Sequence, residues 1–298
     1  MKILITGGAG FIGSHIADAC IEAGHEVAIL DNFKSGEEAN VNPRARLHRA
    51  DIRDASAVRT IFEAERPDIV SHHAAMASVA HSLREPGPTM EVNVMGTLHT
   101  LLAAKEGGVK KFIFASTGGV IYGEPAPERI PVSETEPLDP LSPYALSKKL
   151  GEDIVRFYSS FGKFSFTIFR YANVYGPRQT SKGEAGVIPI FSELMREGRQ
   201  PTIFGDGTKT RDYVHIEDVV AANMLALLGG NNETLNIGTG RETTDQKVFT
   251  LVARAMKYTG KPLYAPFREG ENRRIALDAT RAKKILGWEP RRRTLTIP

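Results

Sequence analysis

Three groups of residues in this chain have the types and spacing that chemistry requires. Thr6-Gly7-Gly8-Ala9-Gly10-Phe11-Ile12-Gly13 stands where an apolar run gives way to a helical pattern. It reads as Gly8-x-Gly10-x-x-Gly13 or as Gly7-x-x-Gly10-x-x-Gly13. Either way it lacks the side-chain carbons that would block a tight turn and the approach of backbone N–H groups to a pyrophosphate, whose charge then meets the positive end of a helix. Asp31 closes the second apolar run, roughly 20 residues on, where a carboxylate accepts hydrogen bonds from both hydroxyls of an adenosine ribose and repels a 2′-phosphate. That favours NAD over NADP, with Lys34 as a nearby cation. Tyr144 and Lys148 are four residues apart at the start of a helical pattern, on one face. A tyrosine, with a reference pKa of about 10, becomes a base near neutrality when an ammonium and a cationic nicotinamide ring stabilise its phenolate.

Positioning these groups takes a particular scaffold. Short β-branched runs at 3–6, 26–30, 69–72, 112–115 and 164–170 alternate with helical patterns at 11–22, 92–104 and 144–158. Strands so apolar are covered on both faces, which predicts an α/β fold with a doubly wound parallel (Rossmann) sheet. After residue 170 the rhythm turns irregular: a loop at 175–186, helices at 188–196, 216–228, 248–256 and 279–286, and strands at 201–204 and 235–237. With no Gly/Ser linker, residues 1–170 are expected to form the NAD-binding domain. Residues 171–298 are expected to form mainly a smaller substrate-binding lobe, with some segments returning to the first.

The whole chain supports this picture. Its 298 residues are 41% apolar and 24% charged, and 38 basic against 35 acidic residues leave a net charge of +3. That charge is too small and too scattered for a nucleic-acid or membrane surface, so a small-molecule partner is expected. Cys20 is the single cysteine, which excludes an intramolecular disulfide and a cysteine-based zinc cluster. No His/carboxylate spacing suggests a metal. With no leader pattern and no apolar run near the ~20 residues of a membrane span, the expected location is the cytoplasm.

The glycine loop, Asp31, Tyr144 with Lys148, Ser116-Thr117 after a strand, and Asn93 in Val92-Asn93-Val94-Met95-Gly96 together resemble the extended short-chain dehydrogenase/reductase family. The strings Arg170-Tyr171-Ala172-Asn173-Val174-Tyr175-Gly176-Pro177-Arg178, Arg211-Asp212-Tyr213-Val214-His215, Asn236-Ile237-Gly238-Thr239-Gly240 and Arg268-Glu269-Gly270-Glu271 are similar to its nucleotide-sugar branch, UDP-glucose 4-epimerases above all. The resemblance implies a catalytic set of Thr117, Tyr144 and Lys148, with Ser116 the alternate for Thr117. It implies NAD contacts from Gly7, Gly10, Phe11, Ile12, Gly13, Asp31, Asn32, Asp51, Ile52, Ala74, Ala75, Asn93, Ser116, Tyr144, Lys148 and Tyr171. Substrate contacts are implied for Thr117, Asn173, Val187, Thr202, Phe204, Arg211 and Arg268, and helices near 98–104 and 150–158 are expected to pair in a homodimer. Met76 stands where the family often has glutamine.

Within that branch, dehydratases carry an Asp-Glu pair after the catalytic Ser/Thr and decarboxylases usually a Glu; this chain has Gly118 and Gly119, which move no proton. Cys20 belongs to the first helix, far along the chain from any substrate motif, and is expected to pack as a small hydrophobe. The expected reaction is inversion at C4 of a UDP-sugar, of the UDP-glucose/UDP-galactose type, by transient oxidation to a 4-ketose and re-reduction. Its rivals are a net oxidoreduction of another nucleotide sugar and a non-catalytic dinucleotide sensor. His72 and His73 point to opposite strand faces and are expected to pack or to end the strand, and Arg291 to Arg293 to form a solvated face.

Overall fold

The computed structural model describes residues 1–161, 164–181 and 186–297. Residues 182–185 of the expected loop, and Pro298, lie outside them. The strands are β1 (Lys2–Thr6), β2 (Glu26–Asp31), β3 (Arg46–Arg49), β4 (Ile69–His72), β5 (Lys111–Thr117), β6 (Ser165–Tyr171), β7 (Asn173–Tyr175), β8 (Thr202–Phe204), β9 (Thr210–Arg211), β10 (Tyr213–His215), β11 (Glu233–Ile237), β12 (Thr243–Thr244) and β13 (Leu263–Ala265). The helices are α1 (Phe11–Glu22), α2 (Ala55–Glu65), α3 (Val79–Arg84), α4 (Pro86–Met90), α5 (Thr97–Glu106), α6 (Pro143–Phe161), α7 (Val187–Arg196), α8 (Ile216–Ala226), α9 (Asp245–Ala255) and α10 (Thr280–Leu286).

Seven strands form one parallel sheet in the order β11-β6-β5-β4-β1-β2-β3. Its strands are apolar in both alternating sets because both faces are covered. Ile3, Ile5, Ile113 and Ala115 pack in one cluster with Ile16, Ala17 and Cys20 of α1 and Val219 and Ala222 of α8. Leu4, Phe112 and Phe114 face the other way, onto Val58 and Phe62 of α2, Leu101 of α5 and Val155 of α6. A third cluster joins Phe191 and Met195 of α7, Ile203, Tyr213 and Val248, Phe249 and Val252 of α9. Strand order reverses between β1 and β4, and at such a switch point the crevice beyond the carboxyl ends is open for a ligand.

Several elements escaped the periodicity. Edge strand β3 is polar (Arg-Leu-His-Arg), and α2, capped by Asp54 accepting from the amides of Ser56 and Ala57, carries its apolar stripe in a largely polar stretch. The helix expected at 92–104 starts as a π-helical turn, Glu91–Gly96, ahead of α5. The backbone of Arg291 and Arg292, expected only to be solvated, donates to the Asp218 carboxylate at 2.9 and 3.2 Å. The Cys20 thiol, packed against Met224 Sδ at 3.7 Å, is pushed up to about 12 by burial and is inert near neutrality.

His72 lies under the sheet's carboxyl end with Thr6 Oγ1 2.8 Å from Nδ1 and Thr97 Oγ1 3.0 Å from Nε2. The Thr97 hydroxyl donates to the Asn93 carbonyl at 2.6 Å, so it accepts from Nε2–H, and Nδ1 accepts from Thr6. The neutral ring is satisfied. Burial, then the Lys148 charge, holds its pKa well below the ordinary value. Above the unfolded pKa of about 6.5 this costs nothing; as pH falls below it, the unfolded chain takes up a proton that the folded ring refuses. Stability therefore drops by up to about 1.4 kcal/mol per pH unit from this ring. Thermal unfolding of His72→Asn, compared with the parent between pH 5 and 6.5, is expected to show a shallower slope; equal slopes would contradict it.

Candidate active site

A cleft of about 820 Å³ opens at the carboxyl ends of the strands. Of the residues expected to contact cofactor or substrate, all among those described, every one lines it except Asn93. Asn93 Oδ1 accepts from the Met76 amide at 2.7 Å, and its Nδ2 donates to the Met76 carbonyl and to Ser147 Oγ, both at 2.9 Å. It braces the segment after β4 against α6.

The glycine loop brings Gly7, Gly10, Phe11, Ile12 and Gly13 to the cleft. Gly10 caps α1 without a side-chain bond, leaving the first amides of the helix uncapped by the chain's own side chains. At Gly7, φ is +69° and a β-carbon would lie 2.7 Å from the Ala74 amide nitrogen. At Gly13 the same carbon would lie 2.3 Å from the Gly7 carbonyl oxygen. The loop is a cradle that side chains would fill, and it fits a pyrophosphate.

On the β2 side lie Asp31, Asn32, Asp51 and Ile52. Asp31 accepts from the Ala9 amide at 2.9 Å and the Phe33 amide at 2.8 Å, one on each oxygen, so it also braces the glycine loop and keeps a further lone pair on each. Asn32 donates to Asp51 at 2.8 Å, and bonds from Arg53 hold the Asp51 carboxyl well below the usual range.

Ala74 and Ala75 line the middle of the cleft with Ser116, Thr117, Tyr144, Lys148 and Tyr171. Ser116 and Thr117 end β5, and alternation sends them apart. The Ser116 hydroxyl donates to buried Glu152 at 2.6 Å, and Glu152 is ion-paired to Arg170 at 2.7 Å. Ser116 is therefore engaged by α6, which favours Thr117 of the two. Lys148 is 4% exposed and donates to the Ala115 carbonyl at 2.7 Å. Burial and then the Lys148 charge push His73 down to about 3, so this ring, 3.3 Å from the Tyr171 hydroxyl, is neutral. His73, just past the end of β4 and stacked on Tyr171, also lines the cleft. Three tyrosines line it too. Burial raises the Tyr171 and Tyr213 hydroxyls above their ordinary value. Tyr144, one helical turn from Lys148, is the one placed beside a lysine on the same helix face.

Toward the third cluster lie Asn173, Val187, Thr202, Phe204, Arg211 and Arg268. The Arg268 guanidinium carbon sits 3.6 Å above the centre of the Phe204 ring. Glu271, which the sequence reading left unassigned, is 2.6 Å from Lys209 and 3.8 Å from both Arg211 and Arg268; Lys209 also reaches Asp245 at 3.3 Å. Three cations face two carboxylates, an excess of positive charge that suits a diphosphate. Lys209 and Arg211 are two residues apart in an extended segment, a period-2 signal that could have revealed the lysine. Among the described residues no group of three or more His, Cys, Asp or Glu side chains could hold a metal ion.

Next to Thr117, a β-carbon at Gly118 would lie 2.4 Å from Leu277 Cδ1. Neither Gly118 nor Gly119 carries a side chain that could supply the extra acid an elimination requires.

Residues 3–238 match the model of the NAD dependent epimerase/dehydratase family. A UDP-glucose 4-epimerase of Mycolicibacterium smegmatis is 41% identical over 296 residues, covering 97% of this chain and 94% of that protein. The crystal structure of a Thermotoga maritima UDP-glucose 4-epimerase with UDP-glucose is 48% identical with a TM-score of 0.95, over 98% of this chain and 94% of that one. A Thermus thermophilus UDP-glucose 4-epimerase in complex with NAD is 42% identical with a TM-score of 0.93, over 98% and 94%.

Proposed function

This chain belongs to the NAD dependent epimerase/dehydratase family, and from that membership we propose that it is an NAD-dependent epimerase that inverts C4 of a UDP-sugar, interconverting UDP-glucose and UDP-galactose. The observation that carries this reading is the cleft wall lined by Thr117, Tyr144 and Lys148, with Gly118 and Gly119 next to Thr117 offering no elimination acid. Residues 1–170 supply the dinucleotide half and residues 171–298 mainly the sugar-nucleotide half.

In this reading the uncapped α1 amides hold the pyrophosphate and Asp31 the adenosine ribose, with Asn32, Asp51, Ile52, Ala74 and Ala75 beside it. Bound NAD supplies the acceptor, and later the donor, of the C4 hydride. Tyr144 takes the proton of the sugar 4-hydroxyl and returns it after the ketose has turned. Lys148 keeps Tyr144 ionised, and Thr117 hydrogen-bonds the same sugar oxygen. Arg211 and Arg268 grip the diphosphate while Phe204, Thr202, Asn173 and Val187 enclose the uridine end, leaving the sugar free to present either face.

The test follows the electrons. Purified protein given UDP-glucose is expected to form UDP-galactose catalytically with no net rise in NADH absorbance. Stoichiometric NADH release, or a dehydrated or decarboxylated product, overturns the reading. Arg211→Ala and Arg268→Ala are each expected to weaken binding of UDP by about 1.5–3 kcal/mol, roughly 10- to 150-fold, measured by calorimetry. Unchanged UDP affinity in both would remove them from the clamp.

A homodimer completes the proposal. Leu146, Phe157 and Phe161 leave α6 with an exposed apolar side, Phe157 at 58% and Phe161 at 63%, and burying it against a second copy explains it. Sedimentation at micromolar concentration is expected to show a dimer. A cytoplasmic location accords with the single, buried cysteine, and no helix among the described residues is long and apolar enough to cross a membrane.

A further inference from the structure

Arg178 belongs to a string, Gly176-Pro177-Arg178-Gln179-Thr180, that the reaction above leaves without a role. Gln179 and Thr180 line the cleft. The other side of this segment is fastened to α1, the helix that opens on the glycine loop. His15 Nε2 lies 3.0 Å from the Pro177 carbonyl, which can only accept, so the ring donates there. Arg178 Nη1 donates to Ser14 Oγ at 3.2 Å, and its Nη2 is ion-paired with Asp18 at 2.7 Å. Asp18 is itself held by Asn42 Nδ2 at 2.8 Å. Arg178 adopts φ +64°, a left-handed conformation unfavourable for a residue with a β-carbon, and these contacts fix it there.

We propose that Arg178 is a positioning residue that couples the two halves of the cleft, tying the segment beside the sugar nucleotide to the dinucleotide helix so that each ligand tightens the binding of the other. This rests on the assignment of NAD to the glycine loop and of the UDP-sugar to the facing half. An anion on the first amides of α1 fixes that helix, and Ser14 and Asp18 lie on its first and second turns. The two terminal nitrogens of the guanidinium fork reach both at once. Gln179 follows directly, and its Nε2 donates to the Val174 carbonyl at 3.1 Å, so the position of Arg178 is passed on to the cleft wall. Such a coupling is reciprocal in binding free energy.

The experiment measures loss of NAD from the holoenzyme with and without saturating UDP. In the parent, UDP is expected to slow NAD loss at least about 5-fold. In Arg178→Met that protection falls to within about 2-fold of none, KM for UDP-glucose rises about 5-fold and kcat stays within about 2-fold. Arg178→Lys restores part of the protection. Asp18→Asn, which leaves the segment's sequence intact, reproduces the loss should Arg178→Met fold poorly, and the double variant loses no more than either single one. A lowered melting temperature with UDP protection unchanged in both variants overturns the coupling, as does a parent in which UDP does not affect NAD loss. A parent that binds neither NAD nor UDP overturns the functional reading itself, and the coupling with it.

Discussion

Tyr144→Phe is expected to lower turnover of UDP-glucose by about 10²-fold or more while NAD stays bound. The ring and its packing survive; only the ionisable oxygen goes. No other tyrosine on the cleft wall can replace it, because burial holds the Tyr171 and Tyr213 hydroxyls protonated. Neither can His73, whose hydroxyl neighbour is Tyr171 and whose ring, pushed down to about 3 by burial and the Lys148 charge, is too weak a base to take the proton. Thr117→Ala should cost less, since one hydrogen bond is lost and not the proton acceptor. Steady-state product assays with retained NAD measured after denaturation decide the point: a Tyr144→Phe enzyme that keeps most of its activity places the base elsewhere.

Gly13→Ala is expected to weaken NAD retention by roughly 5- to 150-fold, from the roughly 1–3 kcal/mol that overpacking against fixed atoms costs. The added carbon would meet Gly7 O at 2.3 Å, Gly7 C at 2.9 Å and Gly8 Cα at 3.0 Å, all backbone atoms of the loop. A flexible side chain could move aside, but here the cradle must open. Gly87→Ala, where nothing lies within 4 Å of the new carbon, is the control and should leave NAD content unchanged. Equal NAD content in the parent and Gly13→Ala would show that the loop does not hold the dinucleotide.

Much of the scaffold was legible in the sequence because strands buried on both faces carry apolar runs that do not alternate with polar residues, and β1, β2, β4, β5 and β6 each hold such a run or β-branched core. The edge strand β3 is polar and partly solvated, and β9 and β12, of two residues each, are too short and too polar to carry such a signal. The site was legible where chemistry needs a fixed local spacing: the glycine loop, and Tyr144 with Lys148 one helical turn apart. It was not legible where partners come from distant segments. Lys209, Asp245 and Glu271 meet only when β9, the first turn of α9 and the segment before α10 converge.

By itself, then, the sequence determined the sheet class, the dinucleotide cradle, the tyrosine–lysine pair and the absence of an elimination acid at 118, because each depends on residues within a turn or a strand of one another. Tertiary structure decided the roles that depend on long-range partners. It set Ser116 on Glu152 and so left Thr117 as the hydroxyl without that tie, and it withdrew Asn93 behind the cleft wall. It also clasped Arg178 to α1 across 160 residues of chain. A hydrogen bond acts over about 3 Å, and which side chains come that close is settled by how the elements pack.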